Sequence, residues 1–420
     1  MPKRRVSKLK KNYILKHFLT VILILSLSAL SCGCSITDYM GNRLSNSERK
    51  YSIFVNAKPE ETVTVEESEI GTESEFLTAY ASLSKEQQRI YRIMRTAAYG
   101  MVSGLIDLGE CGTDYDTDIA IAFRALSFDS PDLFWLPNTY IIGTSQGLGD
   151  TAISVAFDYS EGDFVSGYTV SREEKEQMAL ALENRVLEIA AAASQRESEY
   201  ERELYIHDLL CDTVTYFDDG EMCYTAYGAL INNKAVCEGY SRAFQLLCRK
   251  IGILCEPVYG STEDGGHMWN AVKIEGEWYL TDVTWDDSED LLSRYYFNLT
   301  SDKMNEDHTE SQTYKAVADI YSESGEAYNF NIRSCNSDKN NFFVKENAVL
   351  TEENLETAAA IIEKARLSGR NYAELMFKDT EVKNSFNRNE SKYTDEIQRL
   401  LKSVVLSKLS VYGNAVTFYW

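Results

Sequence analysis

At residue 252 the hydrophobic period of the chain changes from helical to alternating, and that change constrains the fold more than any other feature. Over 237–251, Cys237, Tyr240, Phe244, Leu247, Cys248 and Ile251 recur at helical spacing and form one apolar stripe. Glu238, Arg242, Gln245 and Arg249 take the opposite face, and Gly252 stands where a helix commonly stops. Beyond it, ILCEPVYGS, HMWNAVKI and EWYLTDVTWDD are strand-like, with Glu275-Gly276 as a tight turn between the last two. A helix followed by an antiparallel meander predicts an α+β fold. On the helix alone, Cys237 reads as one more small buried residue, because free cysteine is among the most buried residue types.

The hairpin changes that reading. With Glu275 and Gly276 as turn residues, Ile274 faces Glu277, Trp269 faces Asp282 and His267 faces Thr284. Side chains alternate along a strand, so His267, Trp269, Asp282 and Thr284 share one face, with His267 and Asp282 as diagonal neighbours. A thiol is a nucleophile only as thiolate, so a catalytic cysteine needs a base or a positive environment. Cys237 lies at the start of its helix, where unpaired N–H groups supply partial positive charge. Cys248, three turns on, does not, and is expected in the core. Among the histidines outside the leader, His267 begins a strand directly after STEDGG and suits a cleft. His207 sits inside an amphipathic helix and reads as packing; His308, in the polar NEDHTES, is expected at the surface.

The N-terminus is read as a leader rather than as part of the fold. Lys3, Arg4, Arg5, Lys8, Lys10, Lys11 and Lys16 precede a 13-residue apolar run, Phe18 to Leu30, and then SCGC. The run is short for a membrane span of ~20 residues. LSCGCS resembles a bacterial lipoprotein signal, in which the cysteine after the cut is lipidated. Cys34 is preferred over Cys32. The expectation is a globular part outside the cytoplasm, held to the membrane by an N-terminal lipid.

The 420-residue chain has 42 basic and 65 acidic residues, a net charge of −23. Without the seven basic residues of the leader, 35 remain against 65, or −30, which argues against a nucleic-acid partner. Seven cysteines lie outside the leader, namely Cys111, Cys211, Cys223, Cys237, Cys248, Cys255 and Cys335, so disulfide pairing within one chain leaves at least one thiol free. No C-x-x-C occurs outside the leader and the chain has four histidines, so no metal site and no cofactor is expected.

Five regions are expected: a signal at 1–33, a disordered acidic tether at 34–78, a main domain at 79–310 with its core at about 200–300, a linker at 311–340, and a small α/β domain at 341–420. Ser84 or Ser82 would cap the first helix of the main domain. Ser171 with Glu174 forms a capping box for a later one.

KAVCEGYSRAFQLLCRKIGILCEPVYG, GGHMWNAVKIEGEWYLTDVTWDD and YYFNLT together resemble the bacterial transglutaminase-like branch of the papain-like cysteine enzymes. The likeness is strong over about 225–300, and its Cys, Gly-His-x-Trp-Asn and Asp-x-Thr-Trp motifs occur in order. It implies a cysteine helix packed on an antiparallel sheet, with Cys237 as nucleophile, His267 as general base and acid, and Asp282 orienting His267. The substrate would be a protein or peptide amide, attacked to give a thioester that water or an amine resolves. Tyr224 and Tyr227 are candidates for a second oxyanion donor, and Trp269, Trp278 and Trp285 for cleft walls. Glu238 and Asp286 match the family pattern and are assigned no chemistry. The competing expectation is a transglutaminase-like binding module without turnover.

Overall fold

The computed structural model describes residues 52–56, 62–67, 69–137, 140–146, 151–157, 171–288, 291–313, 329–351 and 354–420. The leader, with Cys32 and Cys34, lies outside the described residues. Among the described residues, no helix is long and apolar enough to cross a membrane. The fold is α+β.

The N-terminal layer is a five-stranded mixed sheet ordered Ser52–Asn56, Tyr140–Gln146, Thr151–Phe157, Leu105–Glu110, Thr62–Val63. Its Ile106, Leu108, Tyr140, Ile142, Ile153, Val155 and Phe157 share one core with the helices Lys85–Tyr99 and Tyr115–Asp129. Ser84, not Ser82, caps the first of these in a capping box with Gln87. The tether expected over 34–78 is corrected here. Ser52–Asn56 and Thr62–Val63 are edge strands of this sheet, and Thr72–Phe76 is a 3₁₀ turn. SIFVN has the β-branched and aromatic content of a strand; the acidic composition of the whole window concealed it.

The helices Arg172–Ala193 and Glu199–Thr213 follow, each with a serine capping box, at Ser171 and Ser198. Both pack against the helix Cys237–Lys250, which in turn lies on a four-stranded antiparallel sheet. That sheet is ordered Glu277–Thr281, Gly265–Ile274, Cys255–Thr262, Thr309–Glu310. The hairpin register matches the expected one from Glu277↔Ile274 to Thr281↔Asn270, and Glu275 and Gly276 both carry positive φ, 51° and 90°. The pairing stops there. Asp282 does not continue the strand; it caps the short helix Val283–Asp286, so Thr284 is helical and does not face His267. The carboxylate of Asp282 accepts the N–H groups of Thr284 and Trp285, and this local bond ends the strand.

The described part of 311–340, expected as a linker, packs on this sheet. Buried Asn329 donates to the carbonyls of Tyr259 and Ser311, and Arg333 donates to Glu256 at 2.8 Å. The C-terminal unit has its own core around Leu375, Phe386, Ile397 and Phe418. Its sheet is ordered Val349–Leu350, Tyr372–Phe377, Ala415–Tyr419, Lys408–Tyr412, with the last two strands forming a hairpin.

Candidate active site

The cysteine helix begins at Cys237 after Val236, a residue with no side chain that can cap. Its first N–H groups are therefore not tied up by a capping side chain, and they face the end at which the thiol sits. Two features fix the height of this end. A Cβ on Gly239 would stand 2.4 Å from the Cys223 carbonyl and 2.8 Å from the Ala235 Cβ, so only glycine lets the helix start approach that loop. The Ser241 hydroxyl donates to the Trp269 carbonyl at 3.0 Å, and the Asn270 amide donates to the Ser241 carbonyl at 3.1 Å. These two bonds clip the helix to the strand that carries His267.

His267 Nε2 lies 2.6 Å from Asp282 Oδ2. A carboxylate accepts, so Nε2 donates, and Nδ1 is the nitrogen left for Cys237. The Cys237 thiol is close enough to act on the charge of the imidazole. Burial disfavours charge on His267, but the Asp282 carboxylate and Cys237 outweigh it and push the imidazole up to about 10. Burial also opposes charge on Asp282, yet His267 and then His308 hold it well below the usual carboxylate range. Since the folded imidazole titrates above its unfolded value and the carboxylate below its own, the pair contributes its full stabilisation between pH ~4 and ~6.5, losing it as pH rises through about 10 and again in strong acid.

His308 was expected at the surface and is 2% exposed. Its Nε2 lies 3.1 Å from the same Asp282 Oδ2, and its Nδ1 lies 2.6 Å from Asp307 Oδ1. The reason is long-range. Thr309–Glu310 pairs with Gly260 and Ser261 at the sheet edge and draws the preceding residue under the aromatic cluster. The nearby Gly-His-x-Trp and Asp-x-Thr-Trp motifs carried no signal for it. The two imidazoles and Asp282 offer three metal-ligand atoms within 4.8 Å of one another, a set that could receive a divalent ion. The two imidazole hydrogen bonds already satisfy that carboxylate oxygen.

Trp269 stacks on His267 at 5.9 Å and meets His308 edge-on at 4.9 Å. It is buried beneath the imidazoles, with the ring tip against Gly260, rather than forming an open wall. Trp285 lies 5.7 Å from His267 and 4.4 Å from His308. Trp278 lies under the Arg333 guanidinium. Tyr224 is buried with Val236 directly before Cys237, whereas Tyr227 packs on Phe134 in the N-terminal core. Glu238 pairs with Arg242 at 2.9 Å. Asp286, assigned no chemistry from the sequence, is fully buried and bonded to His207 Nε2 at 3.1 Å. His207 thus packs, as its helix suggested, but it also anchors the short helix that Asp282 caps. Cys248 lies in the core, and all seven described cysteines are free thiols.

Residues 188–283 match the model of the transglutaminase-like superfamily, a range that includes Cys237, His267 and Asp282. A curated relative, the kyphoscoliosis peptidase of Homo sapiens, is 28% identical over 105 residues, which are 22% of this chain and 16% of that protein. The Mus musculus protein of the same name is 37% identical over 68 residues, 13% of this chain and 10% of that protein. The likeness thus covers a small part of either relative. A solved structure described as a TGase is 17% identical, with a TM-score of 0.25, over 36% of this chain and 45% of its own.

Proposed function

With a transglutaminase-like domain at residues 188–283 as the premise, we propose that the chain is a cysteine acyl-transfer enzyme acting on protein or peptide amides. The observation that carries the reading is the line from the uncapped start of the cysteine helix through the His267 imidazole to the buried Asp282 carboxylate. In this reading the thiol proton already rests on His267 Nδ1, leaving a thiolate beside the imidazolium, and Sγ attacks the carbonyl carbon. The N–H of Cys237 stabilises the developing oxyanion; losing one such donor typically costs about 10²–10³ in rate. As the C–N bond breaks, the imidazolium proton goes to the departing amine or ammonia and a thioester remains. Water or a primary amine then adds to the thioester, giving its proton to His267, and the thiolate leaves.

The leader adds a place of action. Its basic start, 13-residue apolar run and SCGC support an enzyme tethered outside the cytoplasm through Cys34 or Cys32. A second reading, a binding module without turnover, is favoured by one observation: Cys237 is 1% exposed. A mass screen of glutamine-containing peptides, with and without a primary amine, separates these. Turnover predicts hydrolysed, deamidated or amine-bearing products that vanish in Cys237→Ala. Unmodified peptides that nevertheless bind would favour the module.

A further inference from the structure

We propose that His308 is a positioning residue of the site, fixing the Asp282 carboxylate that orients His267; this rests on the catalytic reading above.

Four donors meet Asp282. Oδ1 accepts the N–H groups of Thr284 at 3.0 Å and Trp285 at 3.2 Å. Oδ2 accepts His267 Nε2 at 2.6 Å and His308 Nε2 at 3.1 Å. An ionised carboxylate has about four lone-pair sites, so this one is saturated. Its rotation is blocked on both oxygens, and the direction in which Oδ2 presents itself to His267 is set from the far side by His308.

His308 is itself held. Asp307 Oδ1 lies 2.6 Å from Nδ1, and Asp307 Oδ2 accepts the Tyr296 hydroxyl at 2.7 Å. The Tyr296 N–H is donated to Asp286, on the short helix that Asp282 caps. The path Tyr296, Asp307, His308, Asp282 therefore begins and ends at that one helix before it reaches His267. Trp285, Trp269 and Tyr296 surround the His308 ring at 4.4, 4.9 and 5.5 Å. A plain packing role in such an aromatic box is better filled by phenylalanine, because burying a polar ring between two carboxylates carries a desolvation cost. The hydrogen bonds to both carboxylates are what phenylalanine lacks.

The test compares the rate at which iodoacetamide alkylates Cys237 in wild type, His308→Phe, His308→Gln and Asp307→Asn, with thermal unfolding of each. His308→Phe keeps the ring and loses both bonds; loss of a hydrogen bond to a charged group is expected to slow the reaction about 10–100-fold. His308→Gln carries an amide N–H at similar reach and is expected within about threefold of wild type, because one donor to Asp282 survives. Asp307→Asn, at a partly exposed position, should slow the reaction severalfold without loss of fold. In an Asp282→Asn background, His308→Phe should change the rate by less than about twofold, since the group it acts through is gone. The proposal is overturned if folded His308→Phe or Asp307→Asn reacts at the wild-type rate. It is overturned equally if His308→Gln falls as far as His308→Phe, or if the loss is undiminished in Asp282→Asn. Slow wild-type Cys237 would instead overturn the catalytic reading itself.

Discussion

Asp282 sits one residue beyond the end of its strand, its backbone still extended, and the helix it caps begins at the next residue. Strand parity brought it to His267 because the diagonal offset of two residues is short enough to survive the turn. Thr284, predicted to face His267 by the same parity, was lost to that helix. Cys237, His267 and Asp282 were legible because their chemistry and their local elements agree: a helix start, a loop-to-strand junction and a hairpin of fixed register. His308 and Asp286 were not. Their neighbours in sequence are polar, and their burial depends on partners 26 and 79 positions away, Asp282 and His207. A polar window says that a residue can be solvated; it does not say which distant acceptor will replace the water.

At the scale of elements, the amphipathic stripe of Cys237–Lys250 and the Glu275-Gly276 turn were strong local signals and were read from the sequence. The edge strands Ser52–Asn56 and Thr62–Val63 were obscured by an acidic, aperiodic surrounding window. A short edge strand needs only a neighbour's free hydrogen-bonding edge, and that neighbour is far away in the chain. Gly239 tests whether the start of the cysteine helix is held by close backbone packing. Gly239→Ala should lower stability by about 1–3 kcal/mol, read as the denaturant midpoint at unchanged slope, because its Cβ has no room beside the Cys223 carbonyl. An unchanged midpoint would show that the loop yields freely.

At the scale of the molecule, the C-terminal unit was legible as a separate α/β region, but its docking was not. Glu374 accepts the Ser293 hydroxyl at 2.7 Å and the Arg294 N–H at 3.0 Å, and Arg294 also donates to Asp208 at 2.6 Å. Burial pushes Glu374 up to about 7 from an ordinary 4.5. The neutral acid is therefore the form the joint favours, so its contribution is complete below pH ~4.5 and is lost as pH rises through about 7. The gap is worth up to ~3 kcal/mol. Measured by chemical denaturation, Glu374→Gln should gain stability relative to wild type by up to that amount between pH ~5 and ~8. A difference that does not vary with pH would contradict this.

The measurement that tests the central claim most directly is competitive alkylation by iodoacetamide at pH ~6, with the sites mapped by mass. Cys111 is the most exposed of the described thiols, and exposure alone would make it react first. Burial pushes Cys111 and Cys248 up, Cys211 up to about 11 and Cys335 up to about 12. Cys237, buried but with His267 as its proposed base, is predicted to outrun them all, and to fall to the background rate in His267→Ala. If Cys237 labels no faster than Cys111, or labels as fast without His267, it is not the nucleophile.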